Sequence, residues 1–282
     1  MAPAPVRYHE GAWTNPANHR RLFYRQWSPE AVEHTLVLVH GFGEHSGRYE
    51  TFAQALASHG IATICQDLWG HGRSSGRRGD IDRFEEYLED LDALTTQIIA
   101  NHATGKGLAV FGHSFGGLAA AYWALRNPSY LRCLIVQSPL FEVGFQIPAW
   151  KLWIADRLTP WWPRLSLPGG VNPLWLSHDR AVVDTYRHDP LVHDRVTLLA
   201  YAQIRKAMAR IKDDAARLTT PTLFLYAEED HVVSVEVCRQ VAGSLTCERR
   251  ILGFPNAYHE LHHEAVAQQI VLEVAGWVRR HG

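Results

Sequence analysis

An α/β fold built on a mostly parallel sheet is what the chain predicts, on three observations. Short apolar, β-branched runs alternate with longer amphipathic stretches along most of the 282 residues. Within those runs consecutive positions are apolar, rather than every second one, so both faces of each strand need covering. The strand, helix, strand order then supplies helices to both sides of the sheet.

The elements follow in order. Residues 6–27 read as strands with no helix between them and suit an antiparallel hairpin at the sheet edge. Strands are expected at Leu36–Val39, Ile61–Ile64, Leu108–Phe111 and Leu134–Val136, with helices over 49–58, 84–101 and 116–126. The alternation resumes with a strand at Thr222–Leu225, a helix over 235–242, a short strand at Arg249–Leu252 and a last helix over 263–280. Between about Pro139 and Arg210 it breaks. That stretch holds Trp150, Trp153, Trp161, Trp162 and Trp175, and prolines at 148, 160, 163, 168, 173 and 190 that keep its helices short. Its borders do not have a linker's composition, so residues 140–210 read as a helical cap over the carboxyl edge of the sheet, with 1–139 and 211–282 as the core. Tryptophans are more often core than binding site. A layer this small has little interior for so many rings, which makes Trp150, Trp153, Trp161 and Trp162 candidates to line a substrate cleft.

Composition narrows the function. Hydrophobic residues at 46% and charged residues at 20% describe an ordinary globular protein, and a net charge of -1 offers nothing to attract nucleic acid. The start lacks a basic, apolar, small-residue leader pattern, and no apolar run reaches bilayer length, so an intracellular, cytoplasmic protein is expected. The four cysteines lack metal-ligand spacing and read as reduced, Cys65 and Cys133 within strand-like runs.

The chemistry centres on Gly112-His113-Ser114-Phe115-Gly116, directly after the run 108–111. A strand that turns sharply into a helix lifts a serine hydroxyl to the top of a parallel sheet as a nucleophile elbow. Chance supplies such a pattern in roughly one chain in ten of this length, so its surroundings decide. Serine needs a base to take its proton and donors to receive an oxyanion. His40-Gly41-Phe42-Gly43 follows the first parallel strand, and the backbone N–H groups of Phe42 and Phe115 are the candidate donors. In the chain order serine, acid, histidine, the loop after the strand at 222–226 offers Asp230, with Glu229 in reserve. The base is then His259, between the strand at 249–252 and the last helix, with His262 and His263 expected in that helix's first turn.

A rival pattern overlaps this one. His259-Glu260-Leu261-His262-His263 spells His-Glu-x-x-His, which on a helix binds zinc with the glutamate as general base. The chain carries no third histidine of the extended motif downstream, only Glu264 and Glu273, and zinc leaves the serine elbow unexplained. No metal and no cofactor are expected; inhibition by EDTA with restoration by zinc would revive the rival.

With these residues in view, the segments His40–Tyr49, Asp67–Gly76, Gly112–Gly117, Gln137–Leu140, Asp189–Leu191, Glu229–Asp230 and Tyr258–His262 resemble, in order, the monoacylglycerol lipase and lysophospholipase-like branch of the α/β-hydrolases, of serine aminopeptidase S33 type. The resemblance runs from about residue 20 to the end. It implies the α/β-hydrolase fold: a mostly parallel eight-stranded sheet flanked by helices, with an inserted cap over an acyl-binding tunnel. It also implies Ser114, Asp230 and His259 as a triad, the Phe42 and Phe115 amides as oxyanion hole, and cleavage of medium- to long-chain monoacylglycerols or similar monoesters. Phe115 stands where such members commonly have Met, which leaves the backbone donor and alters the tunnel wall. General arylesterase, lysophospholipase or aminopeptidase-like chemistry on the same triad is the alternative, and a non-catalytic ligand-binding homologue a further one. The expected partner is a small ester or lipid, with peripheral membrane contact through the cap.

Overall fold

The computed structural model describes residues 6–101, 107–126 and 128–282. The chain opens with an antiparallel hairpin, β1 (Arg7–Thr14) and β2 (Arg21–Ser28), as its alternation without a helix implies. β1 is mostly exposed, and charges along it (Arg7, Glu10) guard the sheet edge against pairing with another chain. β3 (His34–Val39), β4 (Ile61–Gln66), β5 (Leu108–His113) and β6 (Leu131–Gln137) follow, joined by helices α1 (Glu50–Ala57), α2 (Glu85–Asn101) and α3 (Phe115–Ala124). β4 and β5 are buried at every position, which is why their sequences are apolar without alternation.

After β6 the chain leaves the sheet. It forms α4 (Ala149–Leu158), a two-stranded ribbon of β7 (Ser166–Pro168) and β8 (Arg195–Thr197), α5 (Arg180–His188) between them, and α6 (Leu198–Asp214). Pro148 precedes α4 and Pro160 follows it, so the prolines bound that helix. The proline-free stretch beyond 190 instead runs into the 17-residue α6, which continues past residue 210 and was not among the expected helices. The chain returns as β9 (Thr222–Ala227), α7 (Val235–Ser244), β10 (Arg249–Phe254) and α8 (Ala267–His281).

The sheet order is β1-β2-β4-β3-β5-β6-β9-β10, with β1/β2 and β2/β4 antiparallel and the rest parallel. This is the mostly parallel eight-stranded sheet that the sequence implies. One face packs on α1 and α8 through Phe52, Leu56, Ile270 and Val274. The other packs on α2, α3, α6 and α7 through Leu91, Leu118, Ile211 and Val241. Both layers are thus fed by helices whose apolar positions recur at helical spacing.

The segment between β6 and β9 is tied to loops at the carboxyl ends of the strands. The N–H of His193 donates to Gly43 O (2.8 Å), that of Thr197 to Gly79 O (3.0 Å), and the Thr197 hydroxyl to Asp80 (2.9 Å). The His45 ring meets Asp189 at 2.9 Å. Two further bonds reach the loop after β10, where the N–H groups of His259 and Glu260 donate to the carbonyls of Trp175 (3.4 Å) and Leu176 (2.9 Å).

Candidate active site

Ser114 joins the end of β5 to the start of α3 at φ 53° and ψ -119°, a conformation that a residue with a side chain adopts only when its surroundings enforce it. Its N–H donates to Gln137 O (3.0 Å), and its carbonyl accepts from Leu118 (3.2 Å) and Leu140 (2.9 Å). The flanking glycines make the turn possible. A Cβ on Gly112 would lie 2.3 Å from Gly116 O, and one on Gly116 would lie 2.1 Å from Val39 O. The two-residue spacing of the motif is therefore a packing requirement, with strand and helix backbones in contact.

The turn after β3 lies beside the serine: a Cβ on Gly41 would be 3.4 Å from Ser114 Cβ. Buried Glu44 shapes it, its carboxylate accepting from Gly41 N–H (2.6 Å), the Tyr49 hydroxyl (2.6 Å) and Arg48 (2.5 Å). Underneath, Leu68 N–H donates to His40 Nε2 (2.9 Å), so Nδ1 carries the ring proton and donates to Gly41 O (2.7 Å). Burial lowers the His40 pKa and suits this neutral tautomer. Asp67, from the second matching segment, secures the next stretch of the turn by accepting from Ser46 N–H (2.7 Å) and Oγ (2.5 Å) and from Arg73 N–H (2.7 Å). Phe115 is the first residue of α3, so its N–H has no acceptor within the helix. The Phe42 and Phe115 rings meet edge to face at 5.6 Å, and Phe42 lines the pocket at Ser114.

Asp230 follows β9 in a tight loop. One carboxylate oxygen accepts from the N–H groups of Val232 (2.8 Å) and Val233 (3.0 Å), and the other accepts from His259 Nδ1 at 2.7 Å. That bond places the proton on Nδ1 and leaves Nε2 as the basic nitrogen. Glu229, the reserve acid, is exposed. Burial disfavours charge on His259, but the Asp230 carboxylate, its hydrogen bond, and Glu260 and Glu44 behind it outweigh that, and the pKa is raised. His113 lies 4.7 Å from the His259 ring centre. Its pKa is lowered to about 4, first by burial and then by His259, so at neutral pH it adds no competing cation. Ser114 and His259 line one pocket; in unliganded enzymes the hydrogen bond between such a pair is often long and tightens only in the substrate complex.

A charge cluster lies behind the site. Arg48 forks onto Glu260 with bonds of 2.5 and 2.7 Å and also holds Glu44, all three side chains being nearly fully buried. Burial opposes ionisation of both carboxylates, yet Arg48 prevails: Glu44 falls to about 2 and Glu260 well below its usual range. Glu260 also meets His263 Nδ1 (2.8 Å). The zinc reading needs Glu260 free as a base and two histidines facing one ion, whereas here His259 bonds Asp230 and Glu260 is clamped by Arg48. His262 and His263 belong to a short 3-10 turn, Leu261–His263, and α8 starts only at Ala267, so their expected place in the last helix is corrected.

The pocket at Ser114 has a volume of about 120 Å3. Glu44, His113, His259 and Glu260 give it one polar region; Leu140, Val171, Leu176, Ile204, Met208 and Val232 are among its apolar walls. The four cap tryptophans are not. Trp150, Trp153, Trp161 and Trp162 are 62%, 59%, 79% and 60% exposed, and α4 buries none of its residues. The expected lining role is corrected: α4, which carries Trp150 and Trp153, and the turn after it, which carries Trp161 and Trp162, lie on the outside of the layer, with Arg157 4.9 Å from the Trp153 ring. Trp175 alone of the five turns inward, against Phe145 (5.8 Å) and His231 (6.0 Å).

Sequence reasoning assigned no role to Glu44 or Arg48, and gave Glu260 one only as the general base of the zinc reading. Glu44 and Arg48 stand inside the segment quoted for its resemblance, and Glu260 beside the expected base. The pocket wall from α6, Tyr201, Ile204 and Met208, had a signal in its three- and four-residue spacing.

A family model for serine aminopeptidase, S33, matches residues 30–266. A monoglyceride lipase homolog of Monkeypox virus is 30% identical over 263 residues, 91% of this chain and 94% of that protein. An uncharacterized abhydrolase domain-containing protein of Dictyostelium discoideum is 31% identical over 263 residues; these make up 92% of this chain but only 28% of that longer protein. Among solved structures, Paleococcus ferrophilus monoacylglycerol lipase superposes with a TM-score of 0.82 at 27% identity, covering 99% of this chain and all of the other. Fold, motif order and these likenesses agree: the chain is a hydrolase belonging to the serine aminopeptidase S33 family of α/β-hydrolases.

Proposed function

We propose that the protein cleaves medium- to long-chain monoacylglycerols, or similar monoesters, through an acyl-enzyme on Ser114, with residues 140–210 as its cap. The observation that carries this reading is the meeting, in one largely apolar pocket, of a conformationally enforced serine and an imidazole oriented by a buried carboxylate. Ser114 Oγ attacks the ester carbonyl as His259 Nε2 takes its proton, and the oxyanion rests on the Phe42 and Phe115 amides. Asp230 stays ionised and holds Nδ1–H. His259 returns the proton to the alcohol oxygen as the ester C–O bond breaks. Water then attacks the acyl-enzyme by the same route, releasing the acid and restoring Ser114. The names of the Monkeypox virus and Paleococcus ferrophilus relatives support a monoacylglycerol, and so do the apolar walls of the pocket, which suit an acyl chain.

A series of glycerol and nitrophenyl esters of increasing acyl length tests the reading. Each methylene buried is worth about 0.8 kcal/mol, so kcat/KM rises with length and then levels. Ser114→Ala keeps the fold and lowers turnover by several orders of magnitude, roughly 10⁴ to 10⁶. Near-parental rates in that variant, or acetate preferred to every longer acyl group, would overturn the proposal.

The exposed tryptophans support a further part of the reading, in which the outer face of the cap meets a lipid interface that presents the substrate. Among the described residues no helix is long and apolar enough to cross a membrane. Contact of this kind is peripheral.

A further inference from the structure

A second hollow, of about 240 Å3, opens among α2, α3 and α6 and is twice the volume of the pocket at Ser114. It has no serine and histidine pair and therefore no part in the cleavage step. Its floor is apolar, with Phe84, Leu88, Tyr122 and Leu125, and its rim carries Arg126, Lys206, Arg210 and Arg217 against Glu85 and Asp214. Asp214 is engaged by Arg217 at 3.1 Å. Among the described residues, Arg126, Lys206 and Arg210 have no carboxylate at ion-pair distance, so the rim has cations to spare.

An apolar trough under unpaired cations complements a molecule with one alkyl chain and one anionic end. We propose that this groove binds a fatty-acid carboxylate, the kind of acid that ester cleavage at Ser114 releases. The source of that acid rests on the function proposed above; the groove's complementarity to it does not.

α6 gives the groove a connection to the chemistry. Gln203, Lys206, Ala207, Arg210 and Asp214 recur along one side of the helix and line the groove, while Tyr201, Ile204 and Met208 recur along the opposite side and line the catalytic pocket. Tyr122 fastens the partition from the groove side by donating its hydroxyl to Ala207 O at 3.2 Å. A fatty acid in the groove bears on the back of the helix whose front shapes the acyl wall. Released acid thereby adjusts the seat of the next substrate.

The test is a calorimetric titration of dodecanoate, below its micelle concentration, into protein whose Ser114 has been capped with a diisopropyl fluorophosphonate, which blocks the serine end of the catalytic pocket; the rim substitutions below assign the binding to the groove. One equivalent binds, and dodecanol binds at least about tenfold more weakly because it brings no charge to the rim. Lys206→Glu combined with Arg210→Glu, both on the exposed rim, weakens dodecanoate by a similar factor and leaves turnover of a short ester unchanged. Absence of binding, equal binding of dodecanol, or indifference to the double substitution would overturn the site. Capping with a dodecyl phosphonate instead changes the groove's affinity for dodecanoate, because coupling between two sites is reciprocal; equal affinities would overturn the shared wall. Failure of both phosphonates to label Ser114 counts against the nucleophile assignment. The groove is then tested by the same titration and double variant on untreated protein.

Discussion

The serine elbow and helix α4 stand at opposite limits of constraint. Around Ser114 the backbone is hydrogen-bonded on both sides, and two positions have room only for glycine. Along α4 no residue is buried, and two large rings face outward. The first region has one solution and so leaves a readable pattern in the sequence. The second is held by little burial, so its sequence leaves open which way the rings face, and it is on such surfaces that one fold can carry different functions.

The contrast can be broken or sharpened by substitution. The largest effect is expected from Asp230→Asn, which keeps the shape of the loop but puts the wrong hydrogen on the imidazole; turnover falls by about 10⁴-fold in steady-state assays while the melting temperature changes little. Arg48→Met comes next. It leaves Glu44 and Glu260 buried without their cation, and a cost of about 3–5 kcal/mol is expected in the denaturant midpoint, with turnover reduced as the turn at Gly41 loosens.

The same cluster has a pH signature. Glu44 titrates near 2 in the folded protein against 4.5 in an ordinary carboxyl, so its stabilisation is complete above about pH 4.5 and is lost as pH falls toward 2. Melting temperature recorded across that window should drop in the parent and much less in Arg48→Met, where the carboxylates have lost the cation that keeps them ionised. The smallest effect on the enzyme belongs to α4 and the turn that follows it. Replacing Trp153 and Trp161 together by Ala should move stability by no more than about 0.5 kcal/mol and leave short-ester turnover intact, yet reduce sedimentation with lipid vesicles. A large loss of turnover on a short soluble ester would erase the distinction between the two regions.

Legibility followed the same divide. The elbow was legible because Gly112, Ser114 and Gly116 meet through local geometry, and Asp230 because it sits where a parallel strand ends. The alternating apolar runs placed every strand of the main sheet, including the edge hairpin. Arg48 and Glu260 are 212 residues apart, and neither shows in sequence that the other will neutralise it. α6 mixes arginine and lysine into its apolar spacing, since it borders two hollows and has no single buried stripe. The tryptophans misled because composition counts rings and says nothing of which side of a short helix meets the interior.

The two carbonyls at Trp175 and Leu176 that receive the N–H groups of His259 and Glu260 bear on how such enzymes can be re-engineered. They make the insert a backbone splint for the loop that carries His259, beside the role of cap proposed for it above. An insert transplanted from a relative to change selectivity would have to reproduce the backbone path at 175–176, or the imidazole would lose registry however well the new walls fitted the new substrate. Modularity at this junction ends at two hydrogen bonds that no side chain encodes.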